Sequence, residues 1–292
     1  MNKSVIRERN SYLDIVKGFA IICVVFGHCI QSGSGDNFVN QALYFDDLAF
    51  KVIYSFHMPL FMLISGFLFG YSVVRQSWTG IISSRMKTLI IPILLWSLVP
   101  FTYSIIEPIN NSQEIGLLFM IKKYISVTLG NLWFLWAIFC CSLIVVIVRQ
   151  FFHDSRWVYF FVFVLTFVVP DYLNLSLYKS MYVYFVLGYF YNKDGLQYRI
   201  KNIYSNNGAL IASGILFAVL LLFYNRDSYI YTTGYYILYS TPLKQLGIDL
   251  FRFMIGLVGS IFILLIFYNA SHIFPININI LLMFIGKICD AL

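Results

Sequence analysis

Long apolar segments separated by short polar ones set the pattern of this chain. A helix needs about 20 apolar residues to cross a bilayer core of about 30 Å. The clear segments of this kind are 13–31, 48–71, 88–106, 132–148, 208–224 and 250–268. Two shorter segments, 157–169 and 180–192, flank a turn-like stretch, and a further segment begins near Ile278. The pattern predicts an all-α fold, a polytopic transmembrane bundle of about 8–9 helices.

Composition agrees with a protein that lies almost entirely in a membrane. The chain is 60% hydrophobic and 11% charged, whereas soluble domains are about 25% charged. The segments lack the alternation of barrel strands. Because no polar stretch is long enough to build a second core, residues 1–292 are predicted to form one integral-membrane domain. No basic patch with interleaved aromatic residues stands apart, which argues against nucleic-acid binding.

The distribution of Lys and Arg predicts the orientation of the helices. When alternate loops are assigned to opposite sides, the side of the N-terminus holds more basic residues, namely Lys3, Arg7, Arg9, Arg75, Arg85, Lys87, Arg149, Arg156, Lys193, Arg199 and Lys201. The other side holds Lys122, Lys123, Lys179, Arg226, Lys244 and Arg252. Because basic residues are enriched in cytoplasmic loops, the N-terminus is predicted to be cytoplasmic.

The first apolar segment carries ionisable residues that are costly inside a bilayer. Lys17 and His28 are eleven residues apart, so on a helix they share nearly one face, about 16 Å apart along the axis. Asp14 precedes Lys17 by one turn and shares that face. A neutral imidazole suits proton transfer near neutral pH. The spacing favours a channel for an anionic ligand with a base deeper inside, although snorkelling and helix packing also explain such residues.

Several motifs resemble the membrane acyltransferase family 3, whose members O-acylate carbohydrates. In LDIVKGFAIICVVFGH a basic residue precedes a histidine, here Lys17 and His28, as in the branch similar to fucose 4-O-acetylases. The resemblance extends over nearly the whole chain through SFHMPLFMLISGFLFG, SSRMKTLIIPILLW, NLWFLWAIF and YFVLGYF.

The resemblance implies an O-acetyltransferase that moves an acetyl group from cytoplasmic acetyl-CoA to a hydroxyl of an extracytoplasmic carbohydrate. It implies a multi-pass protein of the bacterial cytoplasmic membrane, with His28 as the catalytic base. The implied donor-binding residues are Lys17, Asp14, Arg75, Arg85 and Lys87, and the acceptor-side candidates are His57, Asn131 and Trp133. The expected partners are therefore acyl-CoA, a carbohydrate acceptor and the lipid bilayer.

The cysteines argue against a metal cofactor. They lie in apolar segments without CxxC or Cys/His metal spacing, so we expect neither a metal site nor a disulfide framework. His57 and Trp133 are also explained by helix packing and by anchoring at the membrane interface.

Two departures from the family pattern leave other functions open. Thr88 stands where relatives often have another basic residue, and LLMFIGKICDAL begins like a late family helix, so the last family helices are expected to be missing. One alternative is a transporter that uses the same polar stripe for a glycan or small anion. The other is a non-catalytic membrane subunit of a polysaccharide-synthesis complex. No motif indicates the acceptor sugar or the oligomeric state.

Overall fold

The structure is a computed structural model that describes residues 11–33, 42–110, 116–199, 206–238, 241–270 and 276–288. Within these ranges every regular element is helical and none is a strand. Of the segments used to predict the orientation, residues 1–10 and Lys201 lie outside the described residues, as does the chain from residue 289 onward.

The described chain is a succession of helices joined by short connections. In chain order they are α1 (Ser11–Gly33), α2 (Leu48–Arg75), α3 (Trp78–Arg85), α4 (Ile91–Asn110), α5 (Leu117–Gly130), α6 (Trp133–Phe152), α7 (Arg156–Val168), α8 (Leu175–Lys193), α9 (Leu196–Arg199), α10 (Asn207–Leu222), α11 (Ile230–Thr233), α12 (Pro242–Ala270) and α13 (Ile276–Ile288). A π-helical turn, Met86–Ile90, joins α3 to α4, and 3-10 turns cover Leu43–Asp46 and Arg226–Ser228.

Every apolar segment identified in the sequence is helical, which confirms the all-α prediction. The helices long and apolar enough to cross a membrane, judged by length and composition, are Ser11–Gly33, Leu48–Arg75, Trp78–Ile106, Trp133–Phe152 and Pro242–Asn269. Two shorter apolar helices are Arg156–Val168 and Asn207–Leu222.

α5 is a helix that the hydrophobic pattern did not predict. α5 lies in the region 107–131, where the hydrophobic pattern indicated a plain outer connection. Lys122 and Lys123 interrupt its apolar residues, so no continuous apolar run marks it. A surface helix needs apolar residues on only one face, and α5 packs against α4 through its other side chains.

The described residues divide into two compact units. The first unit contains the described residues within 1–61, 198–223 and 255–291, and the second contains those within 62–197 and 224–254. The first unit therefore includes α1, α10 and α13, whereas α3 to α8 belong to the second.

In the first unit α1 is buried on all sides over residues 13–18 and packs through one face further along. Val16 and Ala20 are fully buried, and Cys23 and Gly27 continue the same stripe at intervals of three and four residues. This spacing keeps all four on one side of the helix. The buried stripe explains why a largely apolar segment forms a single packed helix.

Two glycines allow α1 and α13 to approach closely. A Cβ added at Gly18 would overlap the carbonyl oxygen of Leu282, and one added at Gly286 would overlap that of Asp14. Small residues at such positions let helix backbones come together within a membrane protein. The contact therefore depends on the absence of a side chain at both glycines.

We expect Gly18→Ala to lower the stability of the protein, because the new methyl group forces α13 away from α1. Overpacking of this kind typically costs about 1–3 kcal/mol. The measurement is the midpoint of thermal unfolding of the purified protein in detergent. Gly33→Ala is the matched control, since an added Cβ at Gly33 meets no atom within 4 Å. Equal midpoints for the two variants would contradict the close packing.

In the second unit Asp154 ties the turn between α6 and α7 to α8. Its carboxylate accepts hydrogen bonds of 2.7 Å from the hydroxyls of Tyr159 and Tyr189, and Lys193 Nζ lies 2.7 Å away. Burial acts to raise the pKa of Asp154, but the three donors outweigh it and the pKa is lowered. The carboxylate is therefore charged at neutral pH and holds a turn in which Asp154 has φ 60°.

Candidate functional site

An ion pair lies inside the first unit near the start of α1. Lys17 Nζ is 3.1 Å from Asp14 Oδ1, and the two residues are only 6% and 3% exposed. They are one helical turn apart, so α1 itself brings them together. Their predicted donor-binding role stays a prediction. Because buried ion pairs are costly to dehydrate, the pair is weak evidence for a stabilising role.

His28 lies on the same side of α1 as Lys17 but in different surroundings. At 100° per residue the two side chains are about 20° apart around the helix axis. The buried stripe that includes Val16 lies on one side of the direction that Lys17 and His28 share, and the exposed residues Val25 and Phe26 lie on the other side. His28 is exposed, whereas Lys17 is buried. The shared side of α1 is thus enclosed at Lys17 and open at His28.

The structure brings His28 and His57 together, although they were predicted for different roles. An added Cβ at Gly27 would lie 2.8 Å from the ring of Tyr54, so α1 and α2 are in close contact here. The ring of His57 lies edge-on to that of Tyr54 at 4.9 Å. His28 directly follows Gly27, so it belongs to the same contact between α1 and α2. A predicted catalytic residue and a predicted acceptor-side residue therefore share one region of the first unit.

The backbone fixes the proton position on His57. The residue is 3% exposed, and its Nδ1 lies 2.7 Å from the carbonyl oxygen of Ile53. Because a carbonyl oxygen can only accept, Nδ1 carries the proton in the neutral ring and Nε2 keeps a lone pair. His57 can thus accept a hydrogen bond at Nε2.

In the second unit Arg85 lies at the end of α3, where the π turn begins. Its guanidinium carbon is 4.8 Å from the centroid of the Phe69 ring, which is within the range of a cation–π interaction. Phe69 is fully buried and packs on Phe185, with 5.5 Å between ring centroids. Arg85 has no carboxylate partner among the residues that the structure describes.

A polar cleft of about 570 Å³ lies along α3, lined by Gln76, Ser77, Gly80, Ser83, Ser84 and Lys87. Arg75, the last residue of α2, directly precedes this segment, and Lys87 belongs to the π turn. The predicted donor-binding cations Arg75, Arg85 and Lys87 therefore all belong to one short stretch of the second unit. Lys17 and His28 belong to the first unit.

Asn131 and Trp133 form the connection between α5 and α6. The backbone N–H of Asn131 donates to the carbonyl oxygen of Val127 at 2.8 Å, which ends α5. Leu132 then has φ 47°, and Trp133 begins α6. Both predicted residues are half-buried, and their acceptor-side role stays a prediction.

Sequence reasoning missed a buried cluster around Arg252, which it placed among the outer basic residues. Arg252 lies 2.6 Å from the carboxylate of Asp249, whose side chain is fully buried. Gln245 donates to the same carboxylate at 3.1 Å. Asp249 and Arg252 are three residues apart, as are Asp14 and Lys17. This spacing of opposite charges within an apolar helix is the signal that could have identified the pair.

Lys179 is a second buried cation that the sequence assigned to an outer loop. Its Nζ lies 2.6 Å from Asp171 Oδ1 and donates to the carbonyl oxygens of Val169 and Tyr235. The backbone N–H of Tyr235 donates to the other oxygen of Asp171 at 2.7 Å. Tyr235 comes from a distant part of the chain, and Asp171 and Val169 lie across a turn from Lys179, so helix spacing could not have revealed these partners.

The apolar helices of spanning length and the ion pairs buried among them define a multi-pass helical membrane protein. In the described part of the chain, no three His, Cys, Asp or Glu side chains are grouped so that they could hold a metal ion. The sequence model of a family described as an acyltransferase domain matches residues 10–289. The chain therefore belongs to this acyltransferase family, which confirms the resemblance seen in its motifs.

Two curated relatives are similar to the chain. Nodulation protein NolL of Sinorhizobium fredii is 30% identical over 230 residues, and Nodulation protein NolL of Mesorhizobium japonicum is 26% identical over 236 residues. Each alignment covers 77% of this chain but only 60% and 59% of the respective relative. The chain thus spans about three-fifths of the length of these relatives. No solved structure matches it.

Proposed function

We propose that this protein is an O-acyltransferase that moves an acetyl group from cytoplasmic acetyl-CoA to a hydroxyl of a carbohydrate outside the membrane. Membership of the acyltransferase family supports acyl transfer. We also propose that the chain forms one integral-membrane domain in the bacterial cytoplasmic membrane, with eight or nine spans and a cytoplasmic N-terminus. The apolar helices and the excess of basic residues on one side support this topology.

The observation that best supports this function is the arrangement of ionisable groups along α1. The buried Asp14–Lys17 pair lies near the proposed cytoplasmic end, and His28 lies beside His57 about 16 Å further along the axis. A charged amine suits a phosphate of CoA. An extended pantetheine arm is comparable in length with this separation, so it can carry the thioester toward His28.

In the proposed reaction His28 acts as the general base. An imidazole nitrogen of His28 takes the proton of the acceptor hydroxyl while the hydroxyl oxygen forms a bond to the acetyl carbonyl carbon. The tetrahedral intermediate then breaks its carbon–sulfur bond, and the CoA thiolate leaves and receives the proton. The products are an acetyl ester and free CoA. His57 is proposed to contact the acceptor.

Other proposed ligands come from the second unit. Arg75, Arg85 and Lys87 are proposed to bind phosphates of the donor by charge-assisted hydrogen bonds. The polar cleft supports this assignment for Lys87, which lines it. Asn131 and Trp133 are proposed to contact the acceptor, with the indole ring of Trp133 as a stacking surface.

Mass spectrometry of surface glycans tests the function, using cells with and without the gene that are grown on isotopically labelled acetate. We expect labelled acetyl esters only when the gene is present. The double variant Asp14→Asn/Lys17→Met removes the ion pair without leaving a lone buried charge, and we expect it to lower labelling about 10-fold or more, because a charged hydrogen bond typically contributes about 1.5–3 kcal/mol.

Lys51→Met is the matched control, because Lys51 is a half-buried lysine of the same unit that lies outside the proposed site. It should leave labelling unchanged. Identical glycan acetylation with and without the gene would refute the proposal. A change in glycan or anion transport without any change in acetylation would indicate a transporter instead.

A further inference from the structure

Arg85 is a cation whose surroundings differ from those of the other buried cations in the second unit. Lys179 pairs with Asp171 at 2.6 Å and Arg252 pairs with Asp249 at 2.6 Å. Arg85 is half-buried, yet within the described residues its guanidinium lies over the face of the Phe69 ring rather than beside a carboxylate. Burying a charge is costly unless it is paired. An anionic ligand can therefore supply the negatively charged partner that Arg85 lacks among the described residues.

The backbone at this place is also unusual. The π turn Met86–Ile90 begins directly after Arg85, so the helix changes from hydrogen bonds of the i to i+4 type to the wider i to i+5 type. Such turns are rare and occur frequently at functional sites. Lys87 lies within the turn and lines the polar cleft together with Ser84. Arg85 lies between these two residues in sequence, with its guanidinium over Phe69.

The surroundings of Phe69 favour one position of the Arg85 guanidinium. It is fully buried, and its other neighbour, Phe185, packs on it with 5.5 Å between ring centroids. Because Phe69 is fully buried, its ring has little room to move away from Arg85. Its π face attracts the cation and replaces part of the water that burial removes.

We propose that Phe69 is a positioning residue that holds Arg85 for a phosphate of the acyl-CoA donor. This inference rests on the proposed function, in which Arg85 binds that phosphate. Phe69 does not touch the donor. It acts through Arg85, so its contribution to donor binding depends on the presence of the guanidinium.

A double-mutant cycle on acetyl-CoA binding tests this role. The variants are Phe69→Leu, Arg85→Gln and the double variant, purified and reconstituted in nanodiscs, with the dissociation constant for acetyl-CoA measured by calorimetry. We expect Phe69→Leu to weaken binding about 10-fold, within the range of a partly dehydrated cation–π interaction. In the Arg85→Gln background the same substitution should have almost no effect, because residues that act as one unit are not additive.

Two further variants separate positioning from packing. Phe185→Leu disturbs the same aromatic pair without removing the ring over Arg85, so it should lower thermal stability but leave acetyl-CoA affinity nearly unchanged. Phe69→Tyr keeps the ring and should restore affinity. Equal effects of Phe69→Leu and Phe185→Leu on affinity, or additive effects in the cycle, would overturn the role of Phe69. A wild-type protein that does not bind acetyl-CoA would refute the proposed function itself.

Discussion

Replacing His28 with alanine is expected to reduce acetyl transfer by at least about 100-fold, because a positioned general base typically contributes about 10²–10⁴-fold to a rate. His28 is exposed at the edge of the packed face of α1. Its removal therefore leaves no cavity in the core, and stability should be unchanged. Donor binding should also be retained, since the Asp14–Lys17 pair lies about 16 Å away along the helix.

The measurement is the rate of acetyl ester formation in membranes that contain the natural acceptor, supplied with isotopically labelled acetyl-CoA at matched protein levels. His28→Gln retains a hydrogen-bonding side chain but cannot act as a base, so it should be as inactive as His28→Ala. Cys29→Ala, at the next exposed position of α1, should have wild-type activity. Full activity of both His28 variants would exclude His28 as the base.

Replacing Arg252 with methionine is expected to destabilise the protein by about 3–5 kcal/mol, the usual result of leaving a buried charge without its partner. The side chain of Asp249 is fully buried and would lose the guanidinium 2.6 Å away. Arg252 also donates to the carbonyl oxygens of Asp227, Ser228 and Gly234. These hydrogen bonds hold the segment before α12. Those acceptors would lose their donor at the same time.

Thermal unfolding of the purified protein measures this effect. Lys244→Met is the matched control, because the Lys244–Asp227 pair is exposed, and exposed pairs contribute about 0–1 kcal/mol. Arg252→Met/Asp249→Asn should recover part of the loss by removing the buried carboxylate charge. Arg252→Lys should not restore full stability, since an ammonium group lacks the planar fork of donors. A wild-type midpoint for Arg252→Met would show that the cluster is not stabilising.

The helices were predictable because crossing a bilayer requires long apolar runs, a property that can be read locally. The errors have local causes too. α5 was not predicted because Lys122 and Lys123 interrupt its apolar residues. The sequence predicted that α12 begins near residue 250, whereas the helix begins at Pro242. The prediction was late because Gln245 and Asp249 make the first turns of the helix polar. Both polar side chains are buried against Arg252 or its partner, which hydrophobicity alone does not indicate.

The candidate site was predictable only along a single helix. The spacing of Asp14 and Lys17 indicated their ion pair, since residues three apart share a helix face. The placement of His57 beside His28, and of Phe69 under Arg85, depends on which helices pack together. Helix period sets the direction of a side chain, but it carries no information about the neighbouring helix.

The sequence by itself determined the class of the protein, its family, its apolar helices and the shared face of Lys17 and His28. Each of these follows from composition, from motifs or from the 3.6-residue period of one helix. Only the tertiary structure decided that Lys17 is enclosed while His28 is open, and that Arg252 and Lys179 are buried rather than exposed in loops. Burial and long-range pairing arise when separate helices come together, because only then do distant residues exclude water from the same place.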